Sequence, residues 1–131
     1  MNILKVLTPR RITGNTGERL AVKFLKKNKY RILEKNFVAN GHEIDIIAYK
    51  DKTVVFAEVK TRTLGKENPK ESRPASSVTQ KKQKSIISAA GYYMGYHRPG
   101  EKCRFDVIEV YLKDNGKPHK IIHMESAFRS S

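Results

Sequence analysis

Cysteine is almost absent from this chain of 131 residues, in which Cys103 is the only one. A single cysteine excludes an internal disulfide and a cysteine-based zinc cluster. We expect Cys103 to be a small buried residue. Histidine is also sparse, and of the four histidines only His119 and His123 lie four residues apart. Because both fall in a strand-like segment, we interpret them as surface residues.

Long apolar runs are missing as well. No segment approaches the roughly 18 apolar residues that a membrane-spanning helix needs. The N-terminal segment MNILKVLTPRR has too short an apolar stretch, and no small-residue cleavage site, for a signal peptide. The length indicates one domain with one core. We therefore predict a cytoplasmic protein with a single domain over residues 1–131, of which residues 1–15 are expected to be poorly ordered.

Acidic residues are scarce relative to basic ones. The chain has 13 Asp and Glu against 27 Lys and Arg, which gives a formal net charge of +14. Such an excess in a small domain favours a polyanionic partner, and nucleic acid is the usual one. A solvated basic surface without such a partner is the alternative. The aromatic residues show no regular spacing of the kind that binds single strands.

Hydrophobic periodicity predicts the order helix, three strands, helix, two strands, and hence an α/β layered fold. Pro9 and Gly14 are expected to keep the first helix from starting before Thr16. Ser77 and Gln80 fit a capping box at the start of the second helix. The charged loop over residues 62–76 is long enough to suggest a function. The predicted helices are 16–28 and 77–94, and the predicted strands are 30–37, 42–49, 53–61, 103–112 and 119–128.

Two charged residues interrupt the third strand, TVVFAEVKTRT. Side chains two apart in a strand share a face, so Glu58 and Lys60 lie on the same face as Phe56. Charges on an inner face are costly unless they are compensated. One interpretation is that Glu58 and Lys60 pair with charges on a facing helix. The other is a site whose chemistry needs a carboxylate and an amine together.

A hairpin between the second and third strands would bring further acids to this face. If the chain turns at residues 51–52, Asp45 lies opposite Glu58 and Glu43 lies opposite Lys60. Alternation would put Glu43 and Asp45 on one face of the second strand, and the residues between and after them, 44, 46 and 48, on the other. Two adjacent carboxylates repel unless one is protonated or a cation lies between them. Mg²⁺ is the cation that prefers such oxygen ligands.

The first helix carries another acid that points towards the sheet. At 100° per residue, Glu18 lies within the arc formed by Ala21, Val22 and Leu25. An ammonium group beside a metal ion, such as that of Lys60, can hold the attacking water of a phosphodiester hydrolysis and stabilise developing charge. These residues together therefore suggest a metal-dependent hydrolytic site.

The same residues carry a resemblance to known nucleases. Asp45 followed by Glu58-Val59-Lys60 resembles the PD-(D/E)XK pattern of restriction-endonuclease-like enzymes. More closely, the chain resembles the YraN family of small bacterial proteins, which are predicted to be endonucleases. The matching segments are TGERLAVKFL, EKNFVANGHEIDIIA, VVFAEVKTRT, SVTQKKQ and RFDVIEV. The arrangement is also similar to that of archaeal Holliday junction resolvases.

This resemblance implies a restriction-endonuclease-like fold, with a central mixed sheet of about five strands flanked by helices. It also implies hydrolysis of double-stranded or branched DNA, dependent on Mg²⁺ or Mn²⁺, with a homodimer as one option. Asp45 and Glu58 correspond to the metal-binding acids, and the backbone carbonyl of Val59 to an additional ligand. Lys60 corresponds to the catalytic lysine. Glu18 corresponds to an accessory acid that binds the metal directly or through water.

Contacts with DNA are implied mainly for the second helix. Lys82 corresponds to a family lysine that contacts phosphate, although a solvated basic helix face explains it equally well. Lys81 and Gln80 lie in the same first turn, where capping is the alternative role of Gln80. Arg62 is placed to reach a phosphate, with a surface arginine as the alternative. Glu43 matches a family position with a supporting role.

One position departs from the family pattern. His42 stands where glycine usually precedes the Glu-Ile-Asp segment, and Gly41 lies one residue earlier. The substitution leaves the acids intact but changes how the chain enters the strand. Asp106 and Arg104 share a strand face and are interpreted as a structural pair. A nucleic-acid-binding module of the same fold without catalysis is the alternative function.

Overall fold

The described part of the chain forms a five-stranded mixed sheet with one helix on each face. The computed structural model describes residues 9–65 and 78–130. Its elements are α1 (Pro9–Lys27), β1 (Arg31–Ala39), β2 (His42–Lys50), β3 (Thr53–Thr63), α2 (Gln80–His97), β4 (Lys102–Leu112) and β5 (Pro118–Phe128). The strands lie in the order β1-β2-β3-β4-β5. Only β3 and β4 are parallel, and α2 connects them as a parallel pair requires.

This architecture confirms the predicted element order and the restriction-endonuclease-like α/β fold. The start of α1 differs from the prediction, because the helix begins at Pro9 rather than at Thr16. Proline is compatible with the first turn of a helix, where its missing N–H group is not needed. The expected disorder of residues 1–8 lies outside the described residues. Neither helix of the described part is long and apolar enough to cross a membrane.

The start of α2 is capped by a different residue from the predicted one. The N-cap is Thr79, whose side chain accepts a hydrogen bond from the backbone N–H of Lys82 at 3.1 Å. Ser77 lies outside the described residues, and Gln80 is the first helical residue. The side chain that reaches back over the first turn is that of Gln83, which donates to a backbone carbonyl before the helix at 3.0 Å. The predicted capping box is therefore wrong in its residues.

Both faces of the sheet are buried, and β3 contributes apolar side chains to each. A strand covered on both faces has a continuous apolar run rather than alternation, as seen from Val54 to Ala57. On the α2 face the buried residues are Ala39, Ile44, Ile47, Val54, Phe56, Val78, Ile86, Ala89, Ala90, Tyr93, Phe105 and Val107. On the α1 face they are Ala21, Leu25, Tyr30, Ile46, Ala48, Val55, Ala57, Ile108, Val110 and Leu112.

A buried carboxylate stabilises the α1 face near the start of β4. Asp106 forms hydrogen bonds with His123 Nε2 at 2.7 Å, Arg104 Nε at 3.0 Å and the backbone N–H of Ser126 at 3.0 Å. Burial alone would raise the pKa of Asp106, but these hydrogen bonds outweigh it and the pKa is lowered. The predicted structural pair of Arg104 and Asp106 is confirmed.

Two single-residue predictions are wrong, and both depend on tertiary contacts. His123 is not a surface residue, because its ring packs against Phe24 and Tyr30 as well as bonding Asp106. Cys103 is exposed rather than buried, since it lies at the start of β4, before the buried part of that strand. His119 is exposed as predicted.

The hairpin between β2 and β3 has the predicted turn and register. Asp51 and Lys52 form its tip with φ angles of 51° and 61°. Such a two-residue turn with both φ values positive matches the twist of the strands that it joins. The register pairs run from Lys50 with Thr53 to Ile46 with Ala57. This register directs the next residues of both strands towards each other.

Candidate active site

β2 and β3 separate where their acidic residues begin. The last register pair is Ile46 with Ala57. Beyond it, Oδ2 of Asp45 accepts a hydrogen bond from the backbone N–H of Val59 at 2.8 Å. A side chain thus replaces the next backbone contact of the ladder. This bond fixes the Asp45 carboxyl group between the strands, beside Glu58.

A backbone irregularity opposite Asp45 changes the faces of β2. Asn36 of β1 has a φ of 53°, in the left-handed region that asparagine tolerates better than most residues. Neither Asn36 nor Asp45 belongs to the register pairs of β1 and β2. Alternation is broken here, so Ile44 packs in the same cluster as Ile47 rather than with Ile46. The predicted strict alternation of this strand is therefore wrong at Ile44.

Asn36 also connects two acids, a role that the sequence interpretation missed. Its Nδ2 donates to Glu18 Oε2 at 3.3 Å and to Glu43 Oε1 at 3.0 Å. Glu43 is exposed and does not oppose Lys60 as predicted, because the ladder ends before that point. Asparagine is uncommon in strands, so its presence inside the predicted strand 30–37 could have indicated an irregularity at Asn36.

Close packing of α1 on β3 brings Glu18 to the same place. Gly17 is buried against Thr61, and a Cβ atom added to Gly17 would overlap Thr61 Oγ1 and lie 3.0 Å from Thr61 Cβ. Without a side chain at Gly17 the helix can approach the strand, and the Glu18 carboxyl group lies in hydrogen-bonding contact with Asp45. Burial and the negative charge of Asp45 raise the pKa of Glu18.

Gly17→Ala is expected to destabilise the protein by about 1–3 kcal/mol, the usual cost of overpacking. Urea unfolding measures the change. The control is the double variant Gly17→Ala/Thr61→Ala, which removes the overlapping hydroxyl group and should recover part of the loss. If close packing did not matter, the single variant would instead gain about 1 kcal/mol from the higher helix propensity of alanine.

Asp45 has the most perturbed acidity of the site. Burial, a hydrogen bond shared with the Glu58 carboxyl group and the negative charge of Glu58 raise the pKa of Asp45 to about 8. The Val59 N–H group and the charge of Lys82 act in the opposite direction but do not outweigh these effects. Asp45 therefore holds a proton at neutral pH unless a cation replaces it.

Glu58 is buried with incomplete compensation. Its side chain is 7% exposed, and Lys82 Nζ of α2 lies 3.7 Å from its Oε2 atom, beyond hydrogen-bonding distance. Among the residues that the structure describes, no hydrogen-bond donor reaches this oxygen. The contact with Lys82 is the ion pair with a facing helix that the alternative interpretation requires. It leaves a buried carboxylate oxygen unsatisfied, which costs free energy that a cation could recover.

The donor set fits a magnesium ion. Asp45 and Glu58 offer two carboxylate groups side by side, and Glu18 contacts Asp45. Within residues 9–65 and 78–130, no three acidic, histidine or cysteine side chains are arranged to hold an ion by themselves. Mg²⁺ does not require such a cage, because it usually binds one or two carboxylates and keeps several water molecules.

The other residues predicted on β3 have different surroundings. Lys60 is half-buried and follows Glu58 by two positions, and its backbone pairs with Glu109 in the ladder between β3 and β4. Arg62 Nε instead donates to Oε2 of the buried Glu109 at 3.3 Å. Tyr111 also donates to Glu109. Glu109 is a buried acid to which the sequence interpretation assigned no role, although it lies within the matching segment RFDVIEV.

The predicted DNA-contacting residues of α2 lie at its N-terminal end. Gln80 and Lys81 are exposed, whereas Lys82 is half-buried and directed to Glu58. Their contacts with phosphate stay predictions. Most of the charged loop before this helix, residues 66–77, lies outside the described part of the chain.

The fold and this acidic pair define a class of protein: an α/β protein of the restriction-endonuclease-like type, with carboxyl groups where two central strands part. Within that class the chain belongs to Uncharacterised protein family UPF0102, the YraN family, whose model matches residues 17–110. The matched segment contains Glu18, Asp45, Glu58 and Lys60.

Relatives from several bacteria cover nearly the whole chain. A UPF0102 protein of Geobacter metallireducens is 44% identical over 116 residues, which is 88% of this chain and 90% of the relative. One of Caldicellulosiruptor bescii is 44% identical over 117 residues, 88% of this chain and 95% of the relative. One of Alkaliphilus oremlandii is 46% identical over 118 residues, 88% and 96% respectively. These names state a family and no activity.

Proposed function

We propose that this chain is a magnesium-dependent endonuclease that hydrolyses DNA phosphodiester bonds. The observation that carries the proposal is the buried pair of Asp45 and Glu58. Their carboxyl groups are in contact, the pKa of Asp45 is raised to about 8, and Glu58 Oε2 has no donor among the described residues. The ion pair with Lys82 leaves this oxygen without a donor, and a cation bound between the two carboxyl groups would satisfy it.

Each residue of the site has a distinct task in this proposal. Asp45 and Glu58 hold the cation, the Val59 carbonyl is a candidate additional ligand, and Glu18 supports the ion directly or through water. A bound Mg²⁺ ion would supply Lewis-acid activation of water and charge neutralisation at the phosphate. The Lys60 ammonium group orients the attacking water and stabilises negative charge that develops on the phosphate oxygens.

The charge of the chain supports a nucleic-acid substrate. A net charge of +14 attracts a polyanion, and Lys81 and Lys82 lie at the end of α2 that faces the site. Binding by such lysines should weaken steeply with salt, because each contact releases counterions from DNA. Symmetric cleavage of branched DNA would need two sites, so that version of the proposal also requires a homodimer.

A cleavage assay on a panel of DNA structures tests the proposal. Linear, nicked, flapped and four-way DNA are incubated with purified protein and Mg²⁺, Mn²⁺ or EDTA. We expect cleavage of at least one substrate with Mg²⁺ or Mn²⁺ and none with EDTA, while binding persists in EDTA. Binding of DNA with no cleavage under any of these conditions would contradict catalysis and favour a nucleic-acid-binding module.

A further inference from the structure

The exposed face of α2 changes from basic to aromatic along its length. Its solvent-exposed residues include Lys81, Lys84, Ser88, Tyr92 and Tyr96, at spacings of three or four residues that place them on one side of the helix. The helix contains no acidic residue at all. Its outer surface is therefore positively charged near the candidate active site and aromatic at the far end.

The two tyrosines pack on each other instead of entering the core. Tyr92 is 42% exposed and Tyr96 is 72% exposed, and their ring centroids lie 4.5 Å apart with planes inclined by 33°. In the described residues the only other large apolar side chain this exposed is that of Val38. The neighbouring Tyr93, by contrast, is buried against Phe56. Tyr92 and Tyr96 thus form an exposed pair of packed rings, which we call the tyrosine platform.

Two glycines beside this platform have no packing role among the residues that the structure describes. A Cβ atom added to Gly91 or Gly95 would meet nothing within 4 Å. Glycine inside a helix costs about 1 kcal/mol relative to alanine. Because alanine would fit at both positions, close packing does not explain why glycine is present. Both glycines line a groove of about 460 Å³ together with Ile87, Met94 and Phe105. Small residues at such a groove let a flexible ligand approach the helix closely.

We infer that this face of α2 binds a single-stranded DNA segment that leaves the candidate active site. Phosphates contact Lys81 and Lys84, and bases stack on Tyr92 and Tyr96. The inference rests on the proposed function and specifies its substrate class, which is DNA with a single-stranded flap or overhang. It differs from the expectation that the aromatic residues show no regular spacing of the kind that binds single strands.

Distances along the helix fix where the stacked bases lie. Lys82 marks the active-site end of α2 through its contact with Glu58. Tyr92 and Tyr96 follow after ten and fourteen residues, which correspond to about 15 and 21 Å of helix. With about 3.4 Å per stacked nucleotide, the platform lies roughly four to six nucleotides from the site. At this stacked spacing, an overhang shorter than about four nucleotides does not reach the platform.

Charge favours DNA over a second copy of the chain as the occupant. A homodimer that packs two parallel copies of this helix face would bring Lys81 and Lys84 towards the same residues of the partner, and neither a parallel nor an antiparallel pair would offer these lysines an acid on the helix. Like charges at an interface oppose association. Exposed tyrosines that stack on bases, in contrast, work together with lysines that bind phosphate.

Binding of matched DNA substrates without divalent cation tests the inference separately from cleavage. Fluorescence anisotropy is measured in EDTA for a blunt duplex and for the same duplex with an eight-nucleotide 5′ or 3′ overhang. We expect at least one overhang to bind more tightly than the blunt duplex. The variant Tyr92→Leu/Tyr96→Leu should lose at least about fivefold in overhang affinity for each stacked base, with blunt-duplex affinity unchanged.

The control variant Tyr92→Phe/Tyr96→Phe keeps the rings and should retain the affinity of the unaltered protein. A 2-aminopurine placed four to six nucleotides from the junction should be quenched on binding by the protein and not by the leucine variant. Equal losses on blunt and overhang DNA, or no loss, would overturn the inference. So would a dimer, seen by sedimentation, that the leucine variant dissociates. If the panel assay shows no cleavage, only the proposed reaction is contradicted, because the anisotropy test measures binding and does not require cleavage.

Discussion

Glu58→Gln is expected to lower the rate of metal-dependent DNA cleavage by at least about 10³-fold while DNA binding in EDTA stays within twofold. The glutamine has the same size, so the buried position next to Lys82 is kept. It removes a negative charge from the pair that is proposed to hold the cation, and such a cation contributes several kcal/mol to transition-state stabilisation. Single-turnover cleavage and anisotropy measure the two quantities on the same substrate.

Lys60→Met tests the proposed role of the lysine separately from that of the proposed metal ligands. The substitution keeps most of the aliphatic stem and removes the ammonium group, so cleavage should fall while metal binding is retained. Lys113→Met, at an exposed position after β4, is the matched control and should cleave normally. Cleavage that survives both Glu58→Gln and Lys60→Met would overturn the assignment of this site.

Asp45→Asn is expected to stabilise the metal-free protein at alkaline pH, even though it removes a proposed ligand. Folding raises the pKa of Asp45 from 3.8 to about 8. Its protonated form therefore contributes stability that is complete below pH 4 and is lost as the pH rises through 8. At 1.36 kcal/mol for each pKa unit, the loss is on the order of several kcal/mol. The asparagine avoids it, since its oxygen still accepts from Val59 and its amide donates to Glu58.

Urea unfolding between pH 4 and pH 9 measures this difference, which should grow with pH. Asp106→Asn is the control with the opposite sign. The pKa of Asp106 is lowered by folding, so its carboxylate stabilises the protein at neutral pH and the asparagine variant should be less stable there. Added Mg²⁺ should stabilise the unaltered protein and not Asp45→Asn, because only a ligand bound by the folded state shifts unfolding. A loss of stability in Asp45→Asn at every pH would indicate a structural acid pair.

Local patterns predicted most of the fold because they act over a few residues. Strand alternation, apolar arcs and the turn at Asp51 and Lys52 are properties of short segments, and they led to the correct element order and hairpin register. The helix boundaries were less predictable. Pro9 is compatible with either a break or a first helical turn. Ser77 and Thr79 are both suitable N-cap residues, and the sequence does not show which of them caps the second helix.

The candidate site was predictable to the extent that it follows from strand alternation, hairpin register and helix periodicity. Asp45 and Glu58 meet because the hairpin register places them together, and Glu18 joins them because it lies on the inner arc of α1. Asn36 and Gly17 could not be inferred in the same way. Their roles depend on a left-handed backbone in a neighbouring strand and on the close packing of a helix on a strand, both of which are tertiary contacts.

The tyrosine platform illustrates the same limit at the surface. Tyr92, Tyr93 and Tyr96 are the same residue type within five positions of one helix, and only Tyr93 is buried. Whether the other two enter a core or stack on each other in solvent depends on what lies beside the helix. The sequence alone does not contain that information.

A crystal structure of the protein soaked in Mg²⁺ tests the central claim most directly. We predict one cation with oxygen atoms of both Asp45 and Glu58 at roughly 2.0–2.1 Å, the distance range of magnesium–oxygen bonds. The Glu58 oxygen that now lies 3.7 Å from Lys82 Nζ would then have a partner. A fully soaked crystal with no cation at this position, and with Lys82 still paired to Glu58, would contradict the account.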